Sequence, residues 1–170
     1  ALSYIASAAW MLGDVGQARS SLEESAAGGA ARRADGLEPP DALLVACDLR
    51  EGRRGDARRR LADELASCRE GGCTLRLLAC LDGYSWLAYE IGRHRDALVL
   101  LAAVSANRAS AEPLVEPTGI VVRSEHERYL RLLRGVSSAA AVHEPWSVGI
   151  SMTVADAVAY VDERVADWTA

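Results

Sequence analysis

A glycine followed five residues later by alanine and nine residues later by leucine occurs three times in this chain: Gly13, Ala18, Leu22; Gly52, Ala57, Leu61; Gly92, Ala97, Leu101. The glycines lie 39 and then 40 residues apart. Recurrence at such a period marks a stacked array of helical units, each too small to bury its own apolar face without a neighbour. The residue types suit two antiparallel helices joined by a tight turn. Glycine reaches positive φ without steric cost where the first helix must stop. One turn into the second helix the backbones cross, and at an axis separation of roughly 8–10 Å only a small side chain fits between them. A turn further on, leucine falls on the same face as the alanine and fills the groove behind it.

This grammar predicts an all-α fold: one helical-repeat domain over residues 1–170, with hairpins at about 1–27, 40–70 and 73–109. Asp14 stands where it can cap the second helix, Pro39-Pro40-Asp41 suits the start of the third, and Gly71-Gly72 breaks the chain after the fourth. The segment from Leu75 to Ile91 is the most apolar and is expected at the centre of the stack. After Ala109 the repeat grammar stops. Ser124-Glu125-His126-Glu127 has the Ser-x-x-Glu form of a capping box and predicts a helix start there, with His126 exposed in the first turn. A short helix is expected at about 137–144, and Thr153 with Asp156 caps a last helix whose Val154, Val158, Val161, Val165 and Trp168 form one stripe. The helices from about 123 to 168 are expected to close the open end of the array.

Half the residues are apolar and a quarter charged. No uninterrupted apolar run approaches the roughly 20 residues of a membrane span, so no membrane partner is expected. All 19 basic residues are Arg, and the net charge of −5 argues against nucleic acid as a partner. Arg53, Arg54, Arg58, Arg59 and Arg60 cluster locally and are expected to form a solvated face paired with Glu51, Asp56, Asp63 and Glu64. Cys47, Cys68, Cys73 and Cys80 lack metal-ligand spacing and read as reduced structural thiols of a cytoplasmic protein, with a Cys68–Cys73 disulfide still sterically open. His94, His126 and His143 stand among charges rather than beside a nucleophile motif. No catalytic, metal or cofactor residues are expected, and the chain is read as a non-enzyme. Its opening, Ala1 to Trp10, reads as the middle of a helix, so a piece of a longer polypeptide is expected.

Gly13-Asp14 with Ala18 and Leu22 resembles the tetratricopeptide repeat. Ser124 to Tyr129, then Pro145-Trp146-Ser-Val-Gly149 and Met152 to Tyr160, are similar to the end of the helical-repeat region in large bacterial ATP-binding transcriptional regulators, the LuxR-type and AfsR-like proteins of the STAND class of signalling ATPases. The resemblance implies a tetratricopeptide-like superhelix with C-terminal capping helices, attached elsewhere in the polypeptide to a nucleotide-binding switch. The sequence has no Lys, hence no Gly-x4-Gly-Lys-Ser/Thr phosphate loop. Carried onto this chain, the repeat's groove positions are Trp10, Leu49, Arg50, Asp82, Trp86 and Tyr89. They read either as a peptide-anchoring groove or as packing between adjacent repeats. The function implied is a non-catalytic protein-interaction and regulatory module, its partner a protein, a peptide or another domain of the same polypeptide, with homo-oligomerisation left open. The alternative is a small-molecule sensor with a pocket between the repeats and the capping helices, near Trp146 and residues Pro113 to Thr118.

Overall fold

The computed structural model describes residues 2–27, 40–71, 74–108 and 117–168, and among them all regular structure is helical. Three hairpins come first: α1 (Leu2–Met11) with α2 (Val15–Ala27), α3 (Pro40–Arg50) with α4 (Arg54–Gly71), and α5 (Thr74–Glu90) with α6 (His94–Arg108). Residues 28–39 and 109–116, and Cys73 with the pairing to Cys68 considered above, lie outside the described residues. Within the array α2 packs on α3, α4 on α5, and α3 also meets α5.

The three turns are built alike. Gly13, Gly52 and Gly92 have φ of 82°, 75° and 78°. Each donates its amide to the carbonyl three residues back, and the next residue donates to the carbonyl five back, as in Gly52 N to Leu49 O at 3.2 Å and Arg53 N to Asp48 O at 2.8 Å. These two bonds satisfy carbonyls that the end of a helix leaves without partners. Ala18, Ala57 and Ala97 are wholly buried at the crossings, and Leu22, Leu61 and Leu101 are buried behind them. A Cβ at Gly52 would meet nothing within 4 Å, so Gly52→Ala tests the backbone alone. It should cost about 1–2 kcal/mol and lower the Tm by roughly 2–8 °C; an unchanged melt would mean that the turn does not need the left-handed conformation.

Asp14 caps α2 through its Oδ1, which accepts from Gln17 N at 2.9 Å. The arginine cluster divides in its roles. Arg53 and Arg59 pair with Glu51 and Asp56 as expected. Arg60 instead reaches Asp48 (2.9 Å), a fully buried carboxylate that also receives Arg19 (2.6 Å) and Arg53 (3.2 Å). Burial opposes the charge on Arg19, but the hydrogen bond and charge of Asp48 outweigh it and hold the guanidinium protonated well above its usual range. Asp48 thus ties α2, α3 and α4 together. Arg58 pairs with no acid in the cluster. It donates to the carbonyls of Val165 (3.0 Å) and Trp168 (2.6 Å), where the negative end of the last helix attracts a cation.

Three further helices follow: α7 (Pro117–Val136), α8 (Ala139–Ile150) and α9 (Val154–Val165). The capping-box start expected at Ser124 is incorrect. The helix begins at Pro117, a residue favoured in a first turn, and Ser124 and Glu127 lie in its interior, exposed on the solvent face. The short helix expected at 137–144 extends to Ile150 and carries Pro145 within it, with Ser138 as its N-cap. Thr153 and Asp156 do form a reciprocal capping box on α9. Of these, α8 lies on α6, and α9 packs on α5 and α6. The remaining helix, α7, touches α1, α3, α5 and α6 instead. Among the described residues no helix is long and apolar enough to cross a membrane.

Cys47, Cys68 and Cys80 are buried. Burial pushes the Cys47 thiol up to about 12, so it sits in the core as a small apolar group.

Candidate functional site

The first helices of the three hairpins, α1, α3 and α5, share one neighbour, the twenty-residue helix α7. Its sequence divides cleanly by face. Val122, Glu125, His126, Tyr129 and Leu133 recur at spacings of three and four and are buried, whereas Arg123, Ser124, Glu127, Arg131 and Arg134 are exposed. Burying carboxylate, imidazole and phenol on one face requires partners for each, since an unpaired buried polar group is costly. The hairpins supply them.

Glu125 accepts from Arg50 of α3 at 3.1 Å and from Arg128 of its own helix at 3.1 Å. The Arg50 guanidinium also lies 5.2 Å from the ring centre of Trp10, so one side chain bridges the first hairpin to α7. Tyr129 stacks on Trp86 with centroids 5.9 Å apart, meets Tyr89 edge-on at 5.4 Å, and donates its hydroxyl to Glu90 at 3.0 Å. Burial pushes the Tyr129 phenol well above its usual range, and the neighbouring Glu90 carboxylate adds to the effect. Aromatic pairs of this kind contribute about 0.5–1.5 kcal/mol beyond the area they bury.

His126 is the centre of the contact, and its expected place as an exposed first-turn residue is corrected by the geometry. It is buried in the middle of α7 because the helix starts nine residues before it. Its Nδ1 lies 2.6 Å from Asp82 Oδ1, and its Nε2 lies 2.9 Å from Ser105 Oγ. Arg108 holds the other oxygen of Asp82. A serine, a histidine and an aspartate in that order share the layout of a nucleophilic relay. Here the Ser105 hydroxyl is directed at the Leu101 carbonyl of its own helix, at 2.8 Å, and Asp82 accepts from His126 Nδ1, so the three side chains link α7 to α5 and α6. What this arrangement can do is hold one helix to two others.

Five of the six candidate groove residues come together under α7. Trp10, Arg50, Asp82, Trp86 and Tyr89 each touch it directly or through Arg50, and Leu49 is buried in the core. Asp82 and Trp86 are buried, Tyr89 is half-buried and Arg50 is exposed. The residues that sequence reasoning missed are those on the other side, Glu125, His126 and Tyr129. Their three-and-four spacing was present as a signal. The surrounding charges hid it, because Ser-Glu-His-Glu-Arg looks like a solvated helix start.

Two buried polar atoms, Ser7 Oγ and Trp86 Nε1, have no hydrogen-bond partner, and counting back from the turn glycines they occupy the same repeat position. Trp146, proposed for the alternative pocket, is half-buried against the core, and the wall at residues 113–116 lies outside the described residues. Among the described residues no group of three or more His, Cys, Asp or Glu could hold a metal ion. Compared with protein-family models, with curated proteins and with solved structures, the chain matches none.

Proposed function

We propose that this chain is a non-catalytic protein-interaction and regulatory module, a tetratricopeptide-like array whose inner row of first helices binds an amphipathic helix. The reading rests on one observation: α7 lies across α1, α3 and α5 and presents a carboxylate, an imidazole and a phenol to built partners. A helix seated in a groove and anchored at three- and four-residue spacing is a recurring mode of peptide recognition. In this state the chain's own α7 is the resident, and a partner helix exchanges with it. The resemblance at Gly13 to Leu22 and at residues 124–162 places such a module in the helical-repeat region of a bacterial signalling ATPase or transcriptional regulator, acting in the cytoplasm.

A tethered helix competes at an effective concentration in the millimolar range, so a free helix reaches the groove only when the resident is weakened. The test uses a fluorescent peptide of residues 117–136 and the full 170-residue chain. Glu125→Ala with Tyr129→Ala in the chain should raise saturable peptide binding at least tenfold over wild type, roughly the effect of losing one good anchor. Adding Asp82→Ala to that variant should reduce the binding again. Equal binding to all three proteins, or none to any, would show that the row of first helices is packing and not a groove.

A further inference from the structure

The turn glycines fix the register of the repeat, so each residue of α1 has a counterpart in α3, 39 positions on, and in α5, 79 positions on. Tyr4 corresponds to Leu43 and Gly83, Ile5 to Leu44 and Tyr84, and Ala8 to Cys47 and Leu87. In the second and third hairpins all six positions are buried. In the first, Tyr4 is 65% exposed, Ile5 is 49% exposed, and Ala8 is exposed with them. One turn further along the same stripe, Leu12 is 87% exposed.

What covers the stripe elsewhere is visible. In the third hairpin a Cβ at Gly83 would lie 2.6 Å from Leu61 Cδ2, and the Cys80 thiol lies 3.5 Å from Leu61 O. Leu61 is the skeleton leucine of α4, the second helix of the preceding hairpin. In the second hairpin the cover is α2, whose Arg19 reaches Asp48. The rule is the same in both cases: the second helix of one hairpin lies on this stripe of the next. Position 48 also tells what kind of helix the stripe of α1 accepts. Its counterparts are Ala9 and Ala88, so α1 offers no carboxylate to an arginine and resembles the apolar α5 seat more than the α3 one.

From this register we propose that Tyr4, Ile5, Ala8 and Leu12 form the seat for the second helix of a further hairpin of the same repeat type, one whose packing face carries alanine and leucine four residues apart and no basic anchor. Single exposed apolar residues are ordinary on protein surfaces. A stripe of four, three of them at positions buried in both other copies, is an interface without its partner.

The test builds the partner from the chain itself. Residues 40–79 fused directly ahead of Ala1 place a second copy of Gly52 forty residues before Gly13, which restores the spacing found between Gly52 and Gly92. The fusion should slow amide exchange in α1 at least about tenfold and raise the Tm of the 170-residue part by several degrees, because stability in such arrays is set by nearest-neighbour interfaces. Tyr4→Arg with Ile5→Arg should abolish both gains in the fusion while moving the Tm of the unfused chain by no more than about 1 °C, as expected for exposed sites. No gain, or the same gain in the arginine variant, overturns the proposal. So does sedimentation that shows the unfused chain as a dimer dissociated by the two arginines, since the seat would then belong to a second copy.

Discussion

Gly149→Val is expected to lower stability by about 3 kcal/mol or more and the Tm by roughly 6–12 °C, measured by thermal and urea melts of the full chain. The cause is the crossing of α8 on α6. A Cβ at Gly149 would fall well inside van der Waals distance of the Val99 carbonyl oxygen, 2.6 Å from Ala102 Cβ and 3.0 Å from Val99 C. These atoms cannot swing aside. They belong to the backbone and first side-chain atom of a helix buried without a break from Asp96 to Val104 and packed against α5 and α8. Overfilling a site usually costs about 1–3 kcal/mol when neighbouring side chains can adjust. With backbone as the obstacle, the whole of α8 must lift. Gly55→Ala provides the contrast, because a Cβ there meets nothing within 4 Å. The gain in helix propensity and the lost freedom of the unfolded chain should then make that variant more stable, by about 0.5–1 kcal/mol. If Gly149→Val melted like wild type, α8 would have to lie further from α6, and the close crossing of the two helices would be wrong.

The same glycine shows what a sequence reading can and cannot recover. Gly13, Gly52 and Gly92 are legible because their role is local: each ends a helix, and the alanine and leucine that follow repeat with it at fixed offsets. Burial of Ala18, Ala57 and Ala97 follows from that register without knowledge of any partner. Gly149 and Pro145 carry the opposite lesson. The helix expected at about 137–144 stops short of both, yet both lie inside α8, one because a neighbouring backbone needs the space and the other because packing overrides propensity. The second side of the site was hidden for a related reason. Asp82, Trp86 and Tyr89 could be placed by repeat position, but Glu125, His126 and Tyr129 lie in a non-repeating helix whose buried face is polar. Hydrophobic periodicity is blind to a stripe made of a carboxylate, an imidazole and a phenol. Asp48 was missed likewise, since its three arginines come from α2, the turn before α4 and α4 itself, and only the folded chain brings them to one carboxylate.

Asp82→Ala should be the most damaging single change, costing about 3–5 kcal/mol. The carboxylate is fully buried and receives both His126 and Arg108, so its removal leaves the imidazole Nδ1 and the guanidinium without their shared acceptor. Arg108 can turn outward, being partly exposed, whereas His126 is enclosed by α5 and α6. The strain therefore falls on α7. Either the buried Nδ1 of His126 is left without its acceptor, or the helix must leave the row of first helices. Hydrogen exchange separates these outcomes from general loosening: amides of α7 should lose protection by more than those of α2, which makes no contact with this triad. A double-mutant cycle with His126→Leu measures the coupling, since the second change removes the stranded imidazole. Asp82→Ala combined with His126→Leu should recover at least about 1–2 kcal/mol relative to the sum of the single losses. Were the two losses simply additive, with α7 protected as in wild type, the histidine–aspartate pair would not be what seats α7, and recognition of a partner helix through the same residues would fail with it.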